Sequence, residues 1–350
     1  MKIAISIDFK IEELKSVNNP NSIHGIYPYR GKISALDANQ ILKQMPSGSK
    51  VLDPFCGSGT ILYEGMKYGL QTIGTDLNPI AFFLSRGKIN IPKKVEESIT
   101  EVNAIIENSK LLKKFQEMPT SALKHFHEST ANQIARVSIF FDTMSDYVKA
   151  CFLGSICLTA RGCNNYLWTS STVGKDINPK RDIDFYEKFL QKVVKHHYPL
   201  KNESSVFQHD SRKLSDVIEF ESIDYVFTSP PYFDCLDYTA YYAKIIYEIL
   251  GYDRLQIKDG LIQSFKDYET DMKFVLEELY KVCKKGAKVI FVVGDKKIHG
   301  KIINGGDFFN SISPFKNVKI LERSYSGTSS QVFDKLNNTK RKEQIIIWEK

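Results

Sequence analysis

Four consecutive residues, Ser229, Pro230, Pro231 and Tyr232, combine a hydroxyl group, two rigid backbone positions and an aromatic ring. They follow an apolar, strand-forming run that starts at Ile223, and the strand must end there because neither proline can donate a ladder hydrogen bond. Each proline also restricts the residue before it, so the loop presents its groups with little freedom. Such a loop suits a flat ring with an exocyclic amine: the Ser229 hydroxyl and the loop carbonyls accept hydrogen bonds from the amine, and Tyr232 stacks on the ring. The alternative is a proline turn after a core strand, with no ligand.

A glycine-containing loop runs from Asp53 to Thr60, between a predicted strand and a predicted helix. Gly57 and Gly59 permit backbone conformations that other residues avoid, and they let a ligand approach the main chain closely. A dinucleotide fingerprint needs a third glycine where Leu62 stands, and a phosphate-binding P-loop needs a Gly-Lys-Ser/Thr run that is missing here. The Asp53 carboxylate would repel a pyrophosphate, whereas S-adenosylmethionine has cationic groups and no phosphate. The alternative is a turn between strand and helix that binds nothing.

The next predicted strand starts at Gln71 and ends in Asp76. A carboxylate at that strand end can accept hydrogen bonds from both hydroxyls of a ribose. Pro79 is predicted at the start of the following helix, so a plain helix cap is the alternative role for Asp76.

Together these segments resemble the motifs of S-adenosylmethionine-dependent amino-group DNA methyltransferases. The Ser-Pro-Pro-Tyr loop has the form typical of cytosine-N4 enzymes, and the loop from Asp53 to Thr60 resembles the family's first cofactor motif. The likeness covers about residues 22–90 and 206–350. It implies S-adenosylmethionine as the cofactor, bound by Asp53, Pro54, Phe55, Gly57, Gly59, Thr60, Asp76 and Asp210. The catalytic residues that it implies are Ser229, Pro230, Pro231 and Tyr232.

Two further expectations come from the resemblance alone. Asp210 corresponds to the acid that lies near the adenine amine of the cofactor, with a helix N-cap as the competing interpretation. The aromatic and basic segment from His24 to Lys32 would cover the methionine end of the cofactor. That segment departs from the family's usual pattern at Arg30 and Ile33.

The implied activity is transfer of a methyl group to the exocyclic N4 of cytosine in a specific duplex DNA sequence. The expected partners are double-stranded DNA and the restriction endonuclease whose modification partner this chain would be. Serine before the two prolines favours cytosine, although an adenine-N6 DNA methyltransferase stays open. Further alternatives are an RNA guanine-N2 methyltransferase and a non-catalytic, cofactor-sensing DNA-binding protein. A carbon-5 cytosine methyltransferase needs a Pro-Cys nucleophile, and no cysteine of this chain follows a proline.

Strands and helices must alternate to place two such loops at one sheet edge, so the fold class is α/β. The resemblance implies a Rossmann-like class I methyltransferase fold, with a mostly parallel seven-stranded sheet and helices on both faces. Residues 1–91 and 200–350 are predicted to form the catalytic domain. Residues 92–199 are predicted to be a mainly helical insertion and a candidate target-recognition region, with a helical cap or a dimer interface as the alternative.

Composition limits the partners further. The chain has 350 residues and a formal net charge of +7, a mild basic excess that is compatible with nucleic acid. The six cysteines form no CxxC pair and no zinc spacing, so we expect no metal. No run of 18 apolar residues and no secretory leader is found, so we expect a soluble cytoplasmic protein with no membrane partner.

Overall fold

The structure, a computed structural model, describes residues 9–10, 22–29, 31–160, 181–201, 203–231, 237–264, 266–298, 301–326 and 340–350. The predicted first strand, at residues 2–9, lies outside the described residues except for its last residue. Tyr232 and the polar stretch 161–175 of the candidate recognition region lie outside them as well.

Seven strands form the central sheet, in the order β3-β2-β1-β4-β5-β9-β8. Strands β3, β2, β1, β4 and β5 pair in parallel, whereas β9 is antiparallel to both β5 and β8. This topology confirms the predicted Rossmann-like class I architecture. The strand bounds are β1 Lys50–Asp53, β2 Gln71–Thr75, β3 Ser205–Phe207, β4 Ile223–Thr228, β5 Cys283–Gly294, β8 Lys316–Ser326 and β9 Lys340–Glu349. A separate two-stranded hairpin follows β5 and consists of β6 Lys296–Ile298 and β7 Lys301–Ile303.

Twelve α-helices surround the sheet in the described part of the chain. They are α1 Ala35–Leu42, α2 Thr60–Met66, α3 Pro79–Ile89, α4 Val95–Leu111, α5 Thr120–Leu123, α6 Glu128–Ser138, α7 Asp146–Ala160, α8 Phe185–Lys195, α9 Tyr242–Leu250, α10 Arg254–Gly260, α11 Tyr268–Val282 and α12 Gly305–Ile312.

Both faces of the sheet are covered by helices, as predicted. Successive strand residues point to opposite faces, so Val51 packs in the cluster that contains α1, while Leu52 packs in the cluster that contains α11. In β4, Phe227 and Val226 divide between the two clusters in the same way. Because these strands are buried on both sides, their sequences read as continuous apolar runs.

The predicted insertion contains helices α4 to α8 and shares a hydrophobic core with the cofactor-binding half. One buried cluster joins side chains of α2, α3, α7, α8 and α9 to Ile26 and Tyr27. The Tyr147 hydroxyl of α7 donates to the Val193 carbonyl at 2.7 Å, and Lys192 donates to the Ile26 carbonyl at 3.2 Å. The helices are therefore packed into the body of the protein.

The apolar spacing of the sequence also predicts mostly helical structure over residues 103–115 and 133–158. The second region is mostly helical, in α6 and α7. Two local predictions differ from the structure. The helix predicted from Asn103 starts earlier, at Val95, and ends at Leu111. We predicted that Gly286 would separate a long helix from the next strand. Instead, α11 ends at Val282, and Gly286, with φ +82°, lies inside β5 where the pairing with β4 shifts register.

Seven lysines lie close together in the sequence around β5, and we expect them either to face phosphates or to be ordinary exposed lysines; they are Lys281, Lys284, Lys285, Lys288, Lys296, Lys297 and Lys301. Lys281, Lys284 and Lys285 lie at the amino end of β5, opposite the edge where the predicted site loops leave the sheet. Lys281 pairs with Glu278 at 2.5 Å, and Lys284 pairs with Asp224 at 2.6 Å. Lys281, Lys284 and Lys285 therefore point away from the candidate site.

Within the described ranges, no helix is long and apolar enough to cross a membrane.

Candidate functional site

The predicted site residues come together at the carboxyl edge of the parallel strands. Strands β1 and β4 are neighbours, so the loops that follow Asp53 and Thr228 leave the sheet side by side. A cavity of about 830 Å³, partly open to solvent, lies between them. The predicted cofactor residues that line it are Asp53, Phe55, Gly57, Thr60, Asp76 and Asp210, and the predicted catalytic residues that line it are Ser229 and Pro231.

Three predicted residues lie beside the cavity without lining it. The Pro54 carbonyl accepts a hydrogen bond from the Thr75 hydroxyl at 3.0 Å and another from the Ser211 hydroxyl. Gly59, with φ +71°, packs so closely on α3 that a Cβ there would lie 2.9 Å from the Ser85 Cα. Pro230 is buried.

Gly57 has a left-handed backbone conformation and lies close to the ring of Tyr29. Its φ is +48°, and a Cβ at this position would lie 3.1 Å from the ring of Tyr29. Tyr29 belongs to the aromatic and basic segment, and it lines the cavity together with Gly31 and Lys32. A side chain at position 57 would therefore fill space between the loop and this segment.

Asp76 is fixed by the backbone on both sides of the cavity. Its Oδ2 accepts from the Gly57 amide and its Oδ1 from the Asn78 amide, both at 2.9 Å. Burial raises the pKa of Asp76 to about 6. The N-cap of α3 is Asn78, whose side chain accepts from the Ile80 amide at 2.9 Å, so the helix-cap alternative for Asp76 is wrong. Each Asp76 oxygen keeps a further lone pair for a ligand hydroxyl.

Asp53 connects the two loops. Its Oδ1 accepts from the Thr228 hydroxyl at 2.7 Å and from the Phe55 amide at 3.2 Å. The side chain is 2% exposed, and burial raises its pKa to about 7. A single carboxyl group thus holds the end of β4 against the end of β1.

Asp210 caps a helix and also lines the cavity, and its contact with the adenine of the cofactor stays a prediction. The capped helix is a short 3-10 helix, and the Asp210 Oδ1 accepts from the Arg212 amide at 2.9 Å. The Arg212 guanidinium donates to both Asp210 oxygens, to Asp271 at 2.9 Å and to the Gly260 carbonyl at 2.9 Å. These contacts hold the pKa of Asp210 below its usual range despite partial burial. Sequence reasoning did not identify Arg212, whose other two partners, Asp271 and Gly260, are 59 and 48 residues away in the chain.

The proline loop is fixed from two directions. Thr228 is held by Asp53, and the Tyr268 hydroxyl of α11 donates to the Pro231 carbonyl at 2.5 Å. Ser229 lies between these anchors, and its side chain has no hydrogen-bond partner among the described residues. A hydroxyl in this position is available to a ligand.

The family is decided by comparison with known proteins. Residues 31–277 match the sequence profile of the family described as D12 class N6 adenine-specific DNA methyltransferase. The chain belongs to this family.

Three similar proteins are named Type II methyltransferases. The Type II methyltransferase M.MjaII of Methanocaldococcus jannaschii is 21% identical over 404 aligned positions, covering 83% of this chain and 75% of that protein. The Type II methyltransferase M.BsoBI of Geobacillus stearothermophilus is 23% identical over 443 positions, covering 95% of this chain and 86% of that protein. The Type II methyltransferase M.MvaI of Kocuria varians is 25% identical over 222 positions, covering 56% and 49%.

A D12-class methyltransferase uses S-adenosylmethionine, and the cavity fits that cofactor. The buried Thr60 hydroxyl and the buried Asn78 amide nitrogen have no hydrogen-bond partner within the described part of the chain, and both residues line the cavity. Asp76 offers a carboxylate for ribose hydroxyls, and Asp53 and Asp210 suit a ligand with cationic groups. No group of three or more metal-ligating side chains occurs among the described residues.

Further lining residues of this methyltransferase escaped prediction. Leu77 directly follows Asp76, so its place after the strand could have indicated it. Leu261 and Ile262 follow α10, a helix that the sequence did not predict, and they add an apolar wall to the cavity. Apolar side chains of this kind suit the faces of an aromatic ring.

Proposed function

We propose that this D12-class enzyme methylates the exocyclic N4 of a cytosine in a specific duplex DNA sequence. The observation that carries the proposal is that Ser229 and Pro231 line the same cavity as Gly57 and Asp76. The two loops have separate tasks: one binds the cofactor, and the other binds the base. When bound, S-adenosylmethionine supplies an electrophilic methyl group on its sulfonium.

The chemical task of the proline loop is to make the amine a better nucleophile. The lone pair of an exocyclic amine is delocalised into the ring. When the Ser229 hydroxyl and a carbonyl of the proline loop accept hydrogen bonds from the amine, electron density moves onto its nitrogen. The same acceptors stabilise the partly positive, pyramidal nitrogen as it forms. Holding both reactants in one cavity supplies much of the remaining rate by proximity.

The target base must leave the double helix to reach this cavity, at a cost of about a few kcal/mol. We assign Tyr232 to the base, because stacking on an aromatic ring returns about 1–3 kcal/mol. Pro230 and Pro231 fix their own φ angles, so they restrict the direction of the chain between the sheet edge and Tyr232.

Two bases compete for this site. The Ser-Pro-Pro-Tyr loop resembles cytosine-N4 enzymes and supports cytosine. The description of the matched family names adenine N6 and supports adenine as the second candidate. Both amines are planar donors beside a ring nitrogen, so the same acceptors serve either one.

The biological setting belongs to the same proposal. The relatives are named Type II methyltransferases, which supports duplex DNA as the substrate and a cognate restriction endonuclease as the partner. Residues 92–199 are proposed to take part in reading the sequence, with polar side chains at base edges and basic side chains at phosphates.

The deciding experiment expresses the chain in a host that lacks DNA methylation. Single-molecule sequencing then gives the position and the motif, and mass spectrometry of the nucleosides identifies the base. N4-methylcytosine supports the proposal, N6-methyladenine selects the second candidate, and cofactor binding without methylation of any DNA contradicts both. A matched Ser229→Ala strain controls for background.

A further inference from the structure

Methylation of an exocyclic amine releases a proton, because the nitrogen carries two hydrogens before the transfer and one afterwards. The hydroxyl and carbonyl oxygens of the proline loop accept hydrogen bonds from the amine, but they are too weakly basic to keep the proton. A carboxylate with a pKa near the working pH can take it. Three carboxyl groups belong to the described lining of the cavity, those of Asp53, Asp76 and Asp210.

The order of the strands ranks these acids by their distance from the proline loop. Ser229 follows β4, and Asp53 is the last residue of β1, the strand that pairs with β4. Asp76 follows β2 and Asp210 follows β3, the second and third strands from β4 on that side. Neighbouring strands are about 4.8 Å apart, so the ends of β2 and β3 lie about 10 and 14 Å from the end of β4. Asp53 is therefore the acid nearest to the loop that is proposed to bind the amine.

A hydrogen bond holds Asp53 beside this loop. The hydroxyl of Thr228, the residue directly before Ser229, donates to the Asp53 Oδ1 at 2.7 Å, and the Phe55 amide donates to the same oxygen at 3.2 Å. The Asp53 Oδ2 accepts no hydrogen bond from the described residues. One oxygen thus anchors the carboxyl group, and the other is available to a ligand in the cavity.

The other two acids are less suited to take up a proton. Asp76 accepts a backbone amide on each of its oxygens. The Arg212 guanidinium donates to both oxygens of Asp210 and holds the pKa of that acid below its usual range, which makes it a weak base. Asp53 has no cationic partner among the described residues, and burial raises its pKa to about 7.

Two titratable groups face Asp53. The charge of Asp76 raises the pKa of Asp53 further, whereas the hydrogen bonds from Thr228 and Phe55 lower it. The buried Cys56 thiol has a pKa well above its usual range, so it stays neutral and does not compete for the proton. The balance leaves a carboxyl group that is ionised at mildly alkaline pH and gains a proton readily.

We propose that Asp53 is a catalytic base, which accepts the proton that the target amine loses; this role rests on the proposed function. The nitrogen lone pair forms the bond to the methyl carbon, and the electron pair of the broken carbon–sulfur bond stays on sulfur. One N–H bond of the amine then breaks. Its electron pair stays on nitrogen, and its proton binds the Asp53 Oδ2. Water takes this proton from Asp53 after the products leave.

The test is the pH dependence of a single turnover, measured from pH 5 to 9 with saturating cofactor and DNA so that binding does not enter. The rate of the unmodified protein should rise about tenfold per pH unit and then level off. A bound sulfonium lowers the pKa of a nearby carboxyl group, so the midpoint should lie at or below about 7. Asp53→Asn should lower the plateau rate about 100-fold and lose this pH dependence.

Thr228→Val keeps the inference testable if Asp53→Asn does not fold. It preserves the branched side chain but removes a donor that stabilises the ionised Asp53, so the midpoint should move to higher pH. The matched control is Thr75→Val. Thr75 is also a buried strand residue, but its hydroxyl donates to the Pro54 carbonyl at 3.0 Å, so the midpoint should stay in place. A purely structural role of Thr228 would lower the rate equally at every pH and leave the midpoint unchanged.

The outcomes separate this role from the proposed function. A flat pH profile of the unmodified protein would overturn the role of Asp53 alone, because water would then accept the proton. An Asp53→Asn rate within about twofold of the original, with the original midpoint, would overturn it as well. No methyl transfer to DNA by the unmodified protein at any pH would overturn the proposed function and this role together.

Discussion

At the residue scale, the site depends on carboxyl groups whose surroundings differ. Asp76 accepts two backbone amides, Asp53 accepts the Thr228 hydroxyl, and Asp210 is paired with Arg212. Asp53 and Asp76 were predicted from their positions at strand ends, whereas Asp210 was expected from the family resemblance. Their partners were not predictable, since a hydrogen bond between Asp53 and Thr228 joins residues that are 175 positions apart.

Cofactor affinity should depend on pH through Asp76. Its pKa is raised to about 6, and in the proposed site the ribose hydroxyls of the cofactor donate to its ionised carboxylate. Affinity for S-adenosylhomocysteine should therefore be full above pH 6 and fall as pH drops through about 6, by up to about tenfold per unit. Titration calorimetry across pH 5 to 8 measures this.

Asp76→Asn should bind weakly at every pH and lose that fall. Asp53, with a pKa raised to about 7, also titrates in this range, so Asp53→Asn is the comparison: it should keep the fall near pH 6 and lose any contribution near pH 7. If Asp76→Asn kept the original pH profile, the titrating group would be a different residue.

Replacing Tyr232 should separate cofactor binding from turnover. Tyr232→Ala removes the proposed stacking surface and leaves the glycine loop intact. Methylation should fall by at least about tenfold, equivalent to about 1.4 kcal/mol, while the Kd for S-adenosylhomocysteine stays the same. Unchanged turnover in a tritium-transfer assay would argue against stacking, and Tyr232→Phe should retain most of the activity.

At the element scale, strand and loop boundaries were predicted closely wherever proline or glycine marks them. Strand β1 has the predicted bounds, and β4 ends directly before Ser229. The α10 helix was missed because it is only seven residues long and no residue of it is buried. Gly286 was wrongly predicted to end a helix. A glycine with positive φ occurs at irregular positions within strands as well as at helix ends, and Gly286 lies at such a position in β5.

The hydrogen bond from α11 to the proline loop should affect catalysis more than binding. Tyr268→Phe removes the donor to the Pro231 carbonyl and keeps the ring in the core. We expect kcat to fall about 2- to 10-fold, with the cofactor Kd unchanged, because a loosened loop holds the base less precisely. Tyr280→Phe, on the exposed side of the same helix, is the control. Equal effects of the two variants would show that the bond has no catalytic importance.

At the scale of the whole molecule, the two edges of the parallel sheet carry different groups. The candidate site lies at the carboxyl edge, and Lys284 and Lys285 lie at the amino edge. The sequence alone could not make this distinction, because an exposed lysine looks the same at either edge.

DNA binding should therefore be insensitive to the lysines of the amino edge. The double variant Lys284→Ala, Lys285→Ala should keep the DNA affinity of the unmodified protein and its dependence on salt. Fluorescence anisotropy over a series of salt concentrations measures both. A drop of about one to two in the slope of log K against log salt would place phosphates at this edge instead.

Given the proposed role of residues 92–199 in reading DNA, the core that helices α4–α8 share with the cofactor half limits how specificity can be engineered. Exchanging residues 92–199 with those of a relative would cut through buried contacts such as that between Lys192 and Ile26. At Gly154 of α7, a Cβ would lie 1.9 Å from the Ile26 carbonyl oxygen, so even one added methyl group there collides with the segment over the cofactor cavity. In chimeras joined at these borders, the buried side chains of the two parents would not fit each other. Surface substitutions on the native helices are therefore a better way to change the target sequence.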